Sequence, residues 1–158
     1  MIYKIVTSGK TEVVTLSNLS QNLKPSSEVY ELSDREICLG PISHKALVFF
    51  ATEFADYALQ NYAKKIIPEA ETCIRLTRKW LEDRESVSDE ELTAAFYAAD
   101  AAANAAANAA NAAAYANAAA YAAHAAAYAA GVDKDKELIR QGTFILDFLK
   151  SGNHLFLV

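Results

Sequence analysis

The chain reads as a mainly α protein: an antiparallel helical bundle around a long Ala-rich helix, with a small N-terminal β-hairpin. Three observations carry that expectation. Across residues 94–130, 26 of 37 residues are alanine, the best helix former, because it loses no side-chain entropy on becoming helical. On both sides of that run, apolar residues recur at three- and four-residue spacing, from Leu47 to Leu81 and from Leu138 to Leu149. The short β-rich runs, by contrast, lie near the N-terminus, at residues 2–6 and 12–16.

Taken in order, Ser8-Gly9-Lys10 supplies a Gly turn between those two runs. A lone hairpin is marginal in water, so it must lie against the helices. Residues 17–43 hold two prolines and many serines with no clear period. They read as a connector, with either a strand at 29–32 or a helical turn at 33–38 inside it. Ser43 fits the N-cap of a helix over 44–66, whose apolar face includes Leu47, Phe50 and Phe54. Pro68 fits the first turn of the next helix, which places Ala70, Cys73, Ile74, Thr77, Trp80 and Leu81 on one side. Trp80 is its core anchor. That helix ends near 84–86, and the Ala-rich helix should run back antiparallel to it.

Ser88 and Glu91 form a capping-box pattern at the start of the Ala-rich run, and Asp89, Glu90 and Glu91 set negative charge at its N-terminus. Gly131 stands where a left-handed cap would end it. No Gly, Pro or β-branched residue interrupts the alanines, so one helix, or two collinear ones, is expected. Unbroken, it would span about 60 Å. That exceeds a compact domain of this size and leaves a break near 108–117, a sheathing bundle or a homodimer as outcomes. Asp133 fits the cap of a last helix over 134–150, weakened at Gly142 and stopped by Gly152. The apolar tail 154–158 reads as a short strand beside the hairpin. The whole is one domain, with hairpin and connector at 1–43, helical core at 44–130, and C-terminal helix and tail at 131–158.

The larger residues of the Ala run fall into two stripes. Tyr97, Asp100, Asn104, Asn108, Asn111 and Tyr115 follow at spacings of 3, 4, 4, 3 and 4. Asn117, Tyr121, His124 and Tyr128 follow at 4, 3 and 4. On a straight helix the second stripe lies nearly opposite the first, so the contact face either winds or changes near 115–117. Asn is a poor interior helix residue. The Asn set therefore reads as an interhelical amide network, as amides offered to a partner or a nucleotide base, or as a solvated face. Solvated faces usually carry Lys and Glu, which the run lacks. His124 with Tyr121 and Tyr128 reads as a ligand-lining face or, more readily, as a buried polar network. The tyrosines read as core sooner than as a binding hot spot. The candidate binding residues are Asp100, Asn104, Asn108, Asn111, Tyr115, Tyr121 and His124.

The net charge of −5 argues against duplex nucleic acid or an anionic membrane as partner, because both call for excess Lys and Arg. The polar residues inside the Ala run argue against a membrane span. Cys38 and Cys73 have no metal or redox spacing, and His44, His124 and His154 lie far apart. A reduced, cytoplasmic chain without secretory signal, metal or cofactor is expected. Glu53 with Asp56, and Asp89-Glu90-Glu91, are the only acid/base candidates, and nothing sets them apart from structural residues. No catalytic activity is expected.

Residues 44–130 resemble a family of Ala-rich immunity proteins, the fifth in the usual numbering of polymorphic-toxin immunity families, which also occurs in phage genomes. Three stretches carry the resemblance: His44-Lys45-Ala46-Leu47 leading to Ala55-Asp56-Tyr57-Ala58; Pro68-Glu69-Ala70 followed by Cys73-Ile74-Arg75 and Lys79-Trp80-Leu81; and the Ala-rich helix with Ala122-Ala123-His124-Ala125. The resemblance implies an all-α, cytosolic, non-catalytic protein that neutralises a protein toxin by direct binding. The alternative is a counter-defence protein of phage or mobile-element origin that binds a host effector or sequesters a small nucleotide ligand. An ice- or surface-binding Ala helix is disfavoured, since its repeat would carry Thr on a flat face.

Overall fold

The computed structural model describes residues 1–63, 65–102, 104–114 and 118–152. Its N-terminal part follows from one turn. Ser8 (φ 50°) and Gly9 (φ 77°) both adopt positive φ, the requirement of a two-residue turn that matches strand twist. Strands β1 (Ile2–Thr7) and β2 (Lys10–Thr15) therefore pair antiparallel, Thr7 opposite Lys10 and Ile2 opposite Thr15. Two further strands, β3 (Glu28–Leu32) and β4 (Glu36–Pro41), complete an antiparallel sheet of order β2-β1-β3-β4. Tyr3, Ile5, Val14 and Val29 alternate onto its buried face. On the other face Lys4 pairs with Glu36 and lies over the Tyr30 ring.

The connector expected at 17–43 is thus corrected. It holds β3, β4 and a short helix, α1 (Leu16–Asn22). The alternative of a helical turn at 33–38 gives way to β4, which pairs residue by residue with β3: Leu32 opposite Glu36, Glu31 opposite Ile37. Cross-strand partners decide strand formation more than local propensity does.

Helix α2 (His44–Asn61) starts as expected, Ser43 Oγ accepting from the Ala46 amide at 3.0 Å, but stops at Asn61 rather than 66. Helix α3 (Pro68–Glu82) carries Pro68 at its first turn and buries Ala70, Cys73, Ile74, Thr77, Trp80 and Leu81. Helix α4 (Asp89–Asp100) has the full capping box of Ser88 and Glu91.

Beyond α4 the expectation of one helix, or two collinear ones, is overturned. The Ala run forms three helices: α4, α5 (Asn104–Ala114) and α6 (Ala118–Ala129). They lie side by side, α5 packing against α2, α3, α4 and α6 at once. A helix with almost no side-chain bulk lets its neighbours approach its backbone closely. Its Ala106, Ala107 and Ala110 are at most 1% exposed. One straight helix would have left most of this low-volume surface in water, and a side-by-side arrangement buries backbone against backbone. The projecting helix that suggested a homodimer is therefore absent. The first break falls between Asp100 and Asn104, two residue types whose side chains compete for backbone hydrogen bonds and are poor in helix interiors.

The last helix, α7 (Lys134–Lys150), packs on α1 and α6. Phe144 and Phe148 join Phe49, Phe50 and Phe54 in an aromatic cluster, with ring centroids 5.2–6.4 Å apart. Lys150 reaches Glu31 of β3 at 2.7 Å. Gly142 is where α1 crosses: a Cβ there would stand 2.3 Å from the Leu16 carbonyl oxygen. Gly142→Ala should therefore lower the urea midpoint, because overpacking against backbone, on the order of 1–3 kcal/mol or more, outweighs the helix-propensity gain of about 1 kcal/mol. A raised midpoint would mean that α1 and α7 separate easily. The expected tail strand at 154–158 lies outside the described residues, as does the 115–117 segment. No helix among the described residues is long and apolar enough to cross a membrane.

Candidate functional site

A cleft of about 610 Å³ opens between the end of α2, α5 and α6. Its floor is small and apolar: Ala58, Leu59, Ala63, Ile67, Ala125 and Ala129. Its polar walls are Tyr62, Asn104, Asn108, Tyr121, His124 and Tyr128. Each stripe thus contributes to one concavity. On a straight helix they would diverge. Because α5 and α6 are separate helices packed together, Asn104 and Asn108 of the first stripe share a cleft with Tyr121, His124 and Tyr128 of the second.

Four of the seven expected binding residues line it: Asn104, Asn108, Tyr121 and His124. Asp100 is exposed at the end of α4 and Asn111 is half-buried on α5, both outside the lining. Tyr115 lies outside the described residues, as do Asn117 and His154. The expectation that the tyrosines are core is corrected for Tyr97, Tyr121 and Tyr128, which are 68%, 65% and 71% exposed. The alanine side of α6 takes the core contacts instead, Ala122, Ala123, Ala126 and Ala127 being fully buried. His124 is likewise exposed rather than part of a buried network.

Neighbouring elements fix the walls. Gln21 of α1 donates its amide N–H to His124 Nδ1 at 3.1 Å, which leaves the neutral imidazole's proton on Nε2. The His124 and Tyr128 rings stand 5.8 Å apart, and Lys134 Nζ sits 5.7 Å from the Tyr128 centroid. Tyr62 is held from behind by α7, its hydroxyl donating to Glu137 Oε2 at 2.8 Å. Burial, then that bond, raises the Tyr62 phenol well above its ordinary range, so it stays a neutral donor.

Glu137 anchors a buried network that sequence reasoning missed. It is 1% exposed and accepts from Arg140 Nε and Nη2 at 2.8 and 2.7 Å and from Gln141 Nε2 at 3.0 Å. Gln141 also donates to the Ala123 carbonyl of α6 at 3.1 Å and accepts from Ser20 of α1 at 2.9 Å. Arg140 sits over the Tyr57 ring of α2, its Cζ 3.5 Å from the centroid. Burial alone would raise the Glu137 pKa, but the bonds from Arg140, Tyr62 and Gln141 outweigh it and hold the carboxyl below the usual range. The signal was readable: Glu137 and Gln141 sit four apart on the stripe that continues to Ile145 and Leu149.

Among the described residues, the buried cysteine and the paired carboxylates are held in structural contacts. Cys73 is buried, donates to the Ala106 carbonyl at 3.1 Å, and has its thiol pushed up to about 11 by burial. Glu53 and Asp56 are both tied to Arg78 Nη2, at 2.9 and 2.7 Å. Among the described residues no cluster of His, Cys, Asp and Glu is built to hold a metal ion. The chain matches no family model, no curated protein and no solved structure. What the cleft presents chemically is a recess of aromatic faces, side-chain amides and one imidazole.

Proposed function

We propose that this is a non-catalytic binding protein whose α2/α5/α6 cleft is its contact face. The observation that carries the reading is the convergence of Tyr121, Tyr128, His124, Asn104 and Asn108 on one concavity. Exposed tyrosines give large, rigid contact at low entropy cost, and a folded core has no need of them there. In this reading the helices act as an antiparallel bundle that displays the cleft, with the β1–β2 hairpin packed on α1. The partner class follows from the resemblance of residues 44–130 to Ala-rich immunity proteins: a protein toxin, neutralised by direct binding in the cytoplasm. The net charge of −5 suits a basic partner surface.

A second reading is favoured by the size of the cleft. At about 610 Å³ it falls in the usual small-ligand range, roughly 300–1,000 Å³. A counter-defence protein that sequesters a nucleotide signal would use such a recess. Co-expression with the product of an adjacent toxin gene, followed by affinity capture, tests the first reading. The double variant Asn104→Leu/Asn108→Leu should keep its far-ultraviolet helicity and lose capture by about tenfold or more, the scale of a lost hot spot. Capture unchanged by the double substitution would retire the cleft as the contact face.

A further inference from the structure

We infer that the cleft takes an uncharged, planar heterocycle of nucleobase type, stacked against the Tyr121–His124–Tyr128 wall and read along its edge by the Asn104 and Asn108 amides. The inference rests on the reading of the cleft as the binding face and specifies its ligand.

The first argument is charge. None of the lining residues carries a formal charge, although 22% of the chain is Asp, Glu, Lys or Arg. Three other recesses among the described residues are unlike it. One includes Asp56, Lys65 and Glu71, another Arg75, Arg78 and Glu82, a third Lys10, Glu12 and Lys24. An anionic group seated in the cleft would give up water with no cation in the described lining to replace it, since Lys134 approaches only the Tyr128 ring, at 5.7 Å, from outside that lining, and a desolvated unpaired charge is costly. A phosphate is therefore left outside, and recognition falls to the neutral part of a ligand.

The second argument is shape and hydrogen bonding. Tyr121, His124 and Tyr128 recur at three and four residues, so their rings form one ladder along α6. Two of the three are tyrosines more than half exposed, at 65% and 71%. Aromatic faces of this kind stack flat rings of any sequence. Opposite them Asn104 and Asn108 stand one helical turn apart on α5, and among the described residues neither side chain has a hydrogen-bond partner. Each amide carries both donor and acceptor atoms, the pairing an adenine-like edge presents. His124 adds an Nε2–H donor because Gln21 occupies Nδ1. Six small or aliphatic residues line the floor, which suits the face of a ring better than a flexible polar chain.

The test is a titration of the isotopically labelled full chain with the four ribonucleosides and their monophosphates, following the Asn104 and Asn108 side-chain amide signals by NMR. At least one nucleoside should saturate both signals, with an affinity unchanged between low and high salt and a monophosphate that binds no tighter. Tyr121→Ala should weaken it about tenfold, as loss of a stacking ring does, and Tyr121→Phe, which keeps the ring, should restore it. Failure of every nucleoside to saturate, or a monophosphate that binds far tighter with steep salt dependence, would overturn the inference. Two side-chain probes, N-acetyltyrosinamide and N-acetylargininamide, separate this from the underlying reading. If either saturates the same signals while nucleosides do not, the ligand class is wrong and the cleft still binds. If no probe saturates them and Asn104→Leu/Asn108→Leu leaves partner capture intact, both fall.

Discussion

Glu137→Ala should cost about 3–5 kcal/mol, the usual result of stripping one partner from a buried ion pair. The carboxylate accepts four hydrogen bonds, from Tyr62, twice from Arg140, and from Gln141. Its removal takes both carboxylate bonds from the Arg140 guanidinium, which is 28% exposed, and leaves the half-buried Tyr62 hydroxyl and one proton of the buried Gln141 amide without their acceptor, each at a desolvation cost. Urea unfolding near neutral pH measures the loss, and a loss under about 1 kcal/mol, the scale of an exposed pair, would mean that the network is incidental. Glu137→Gln keeps the shape and removes the charge, so it should fall between wild type and Glu137→Ala. The two also differ with pH. The folded chain holds this carboxyl below its ordinary value of 4.5, so the folded state binds fewer protons than the unfolded state in that region. The stabilisation is present above about 4.5 and is lost as pH falls through the lower folded value. The stability gap between wild type and Glu137→Gln should therefore narrow on acidification below about 4.5, and a gap that stays constant would contradict the assignment. Because Tyr62 lines the cleft and hangs from Glu137, the same variants should also loosen one wall of the proposed binding face.

The parts of the fold that were legible in the sequence are those fixed by neighbours along the chain. Ser43 before α2, Pro68 opening α3, and Ser88 with Glu91 opening α4 each act within one turn, so their chemistry can be read without knowing the partner. The sheet was half legible for the opposite reason. The Ser8-Gly9 turn joins adjacent runs, whereas β3 finds its partner far away, Leu32 opposite Ile2, and β4 depends on β3. Helix α1, rich in Ser and Asn, is selected by the room that Gly142 makes for it. The breaks in the Ala run were the hardest to read. Alanine favours helix strongly and favours no particular neighbour, so beyond the weak local signal of Asp100 and Asn104, packing decides where the chain turns back. The stripes of the site were visible as spacings, but their convergence was not, because it is a product of those turns. The tyrosines were misjudged because an all-alanine face is the better core surface here, and that leaves the larger rings outside.

Replacing both Ala106 and Ala110 by Leu should destabilise the protein by roughly 2–4 kcal/mol, a single overpacked site costing about 1–3. Intuition from helix chemistry points the other way. Leu is nearly as good a helix former as Ala, and each fully buried Leu side chain would contribute about 1.5–3 kcal/mol of transfer free energy if room existed. Room is what α5 lacks. Ala106 is 0% and Ala110 1% exposed, and Cys73 Sγ of α3 reaches the Ala106 carbonyl at 3.1 Å, a contact of side chain on backbone that any added branch would force apart. The two sites lie on one face of one helix, so their effects should couple rather than add cleanly. Ala98→Leu, on the exposed side of α4, is the control and should fall within about 0.5 kcal/mol of wild type. A double variant with an unchanged or higher urea midpoint would show that α5 is loosely held. Alanine would then be there for helix propensity rather than for close approach. If the loss appears as expected, the low bulk of α5 has a functional consequence as well. It lets α6 lie close enough beside α5 for Asn104 and Asn108 to face Tyr121, His124 and Tyr128 across a single cleft, which a bulkier helix would hold apart.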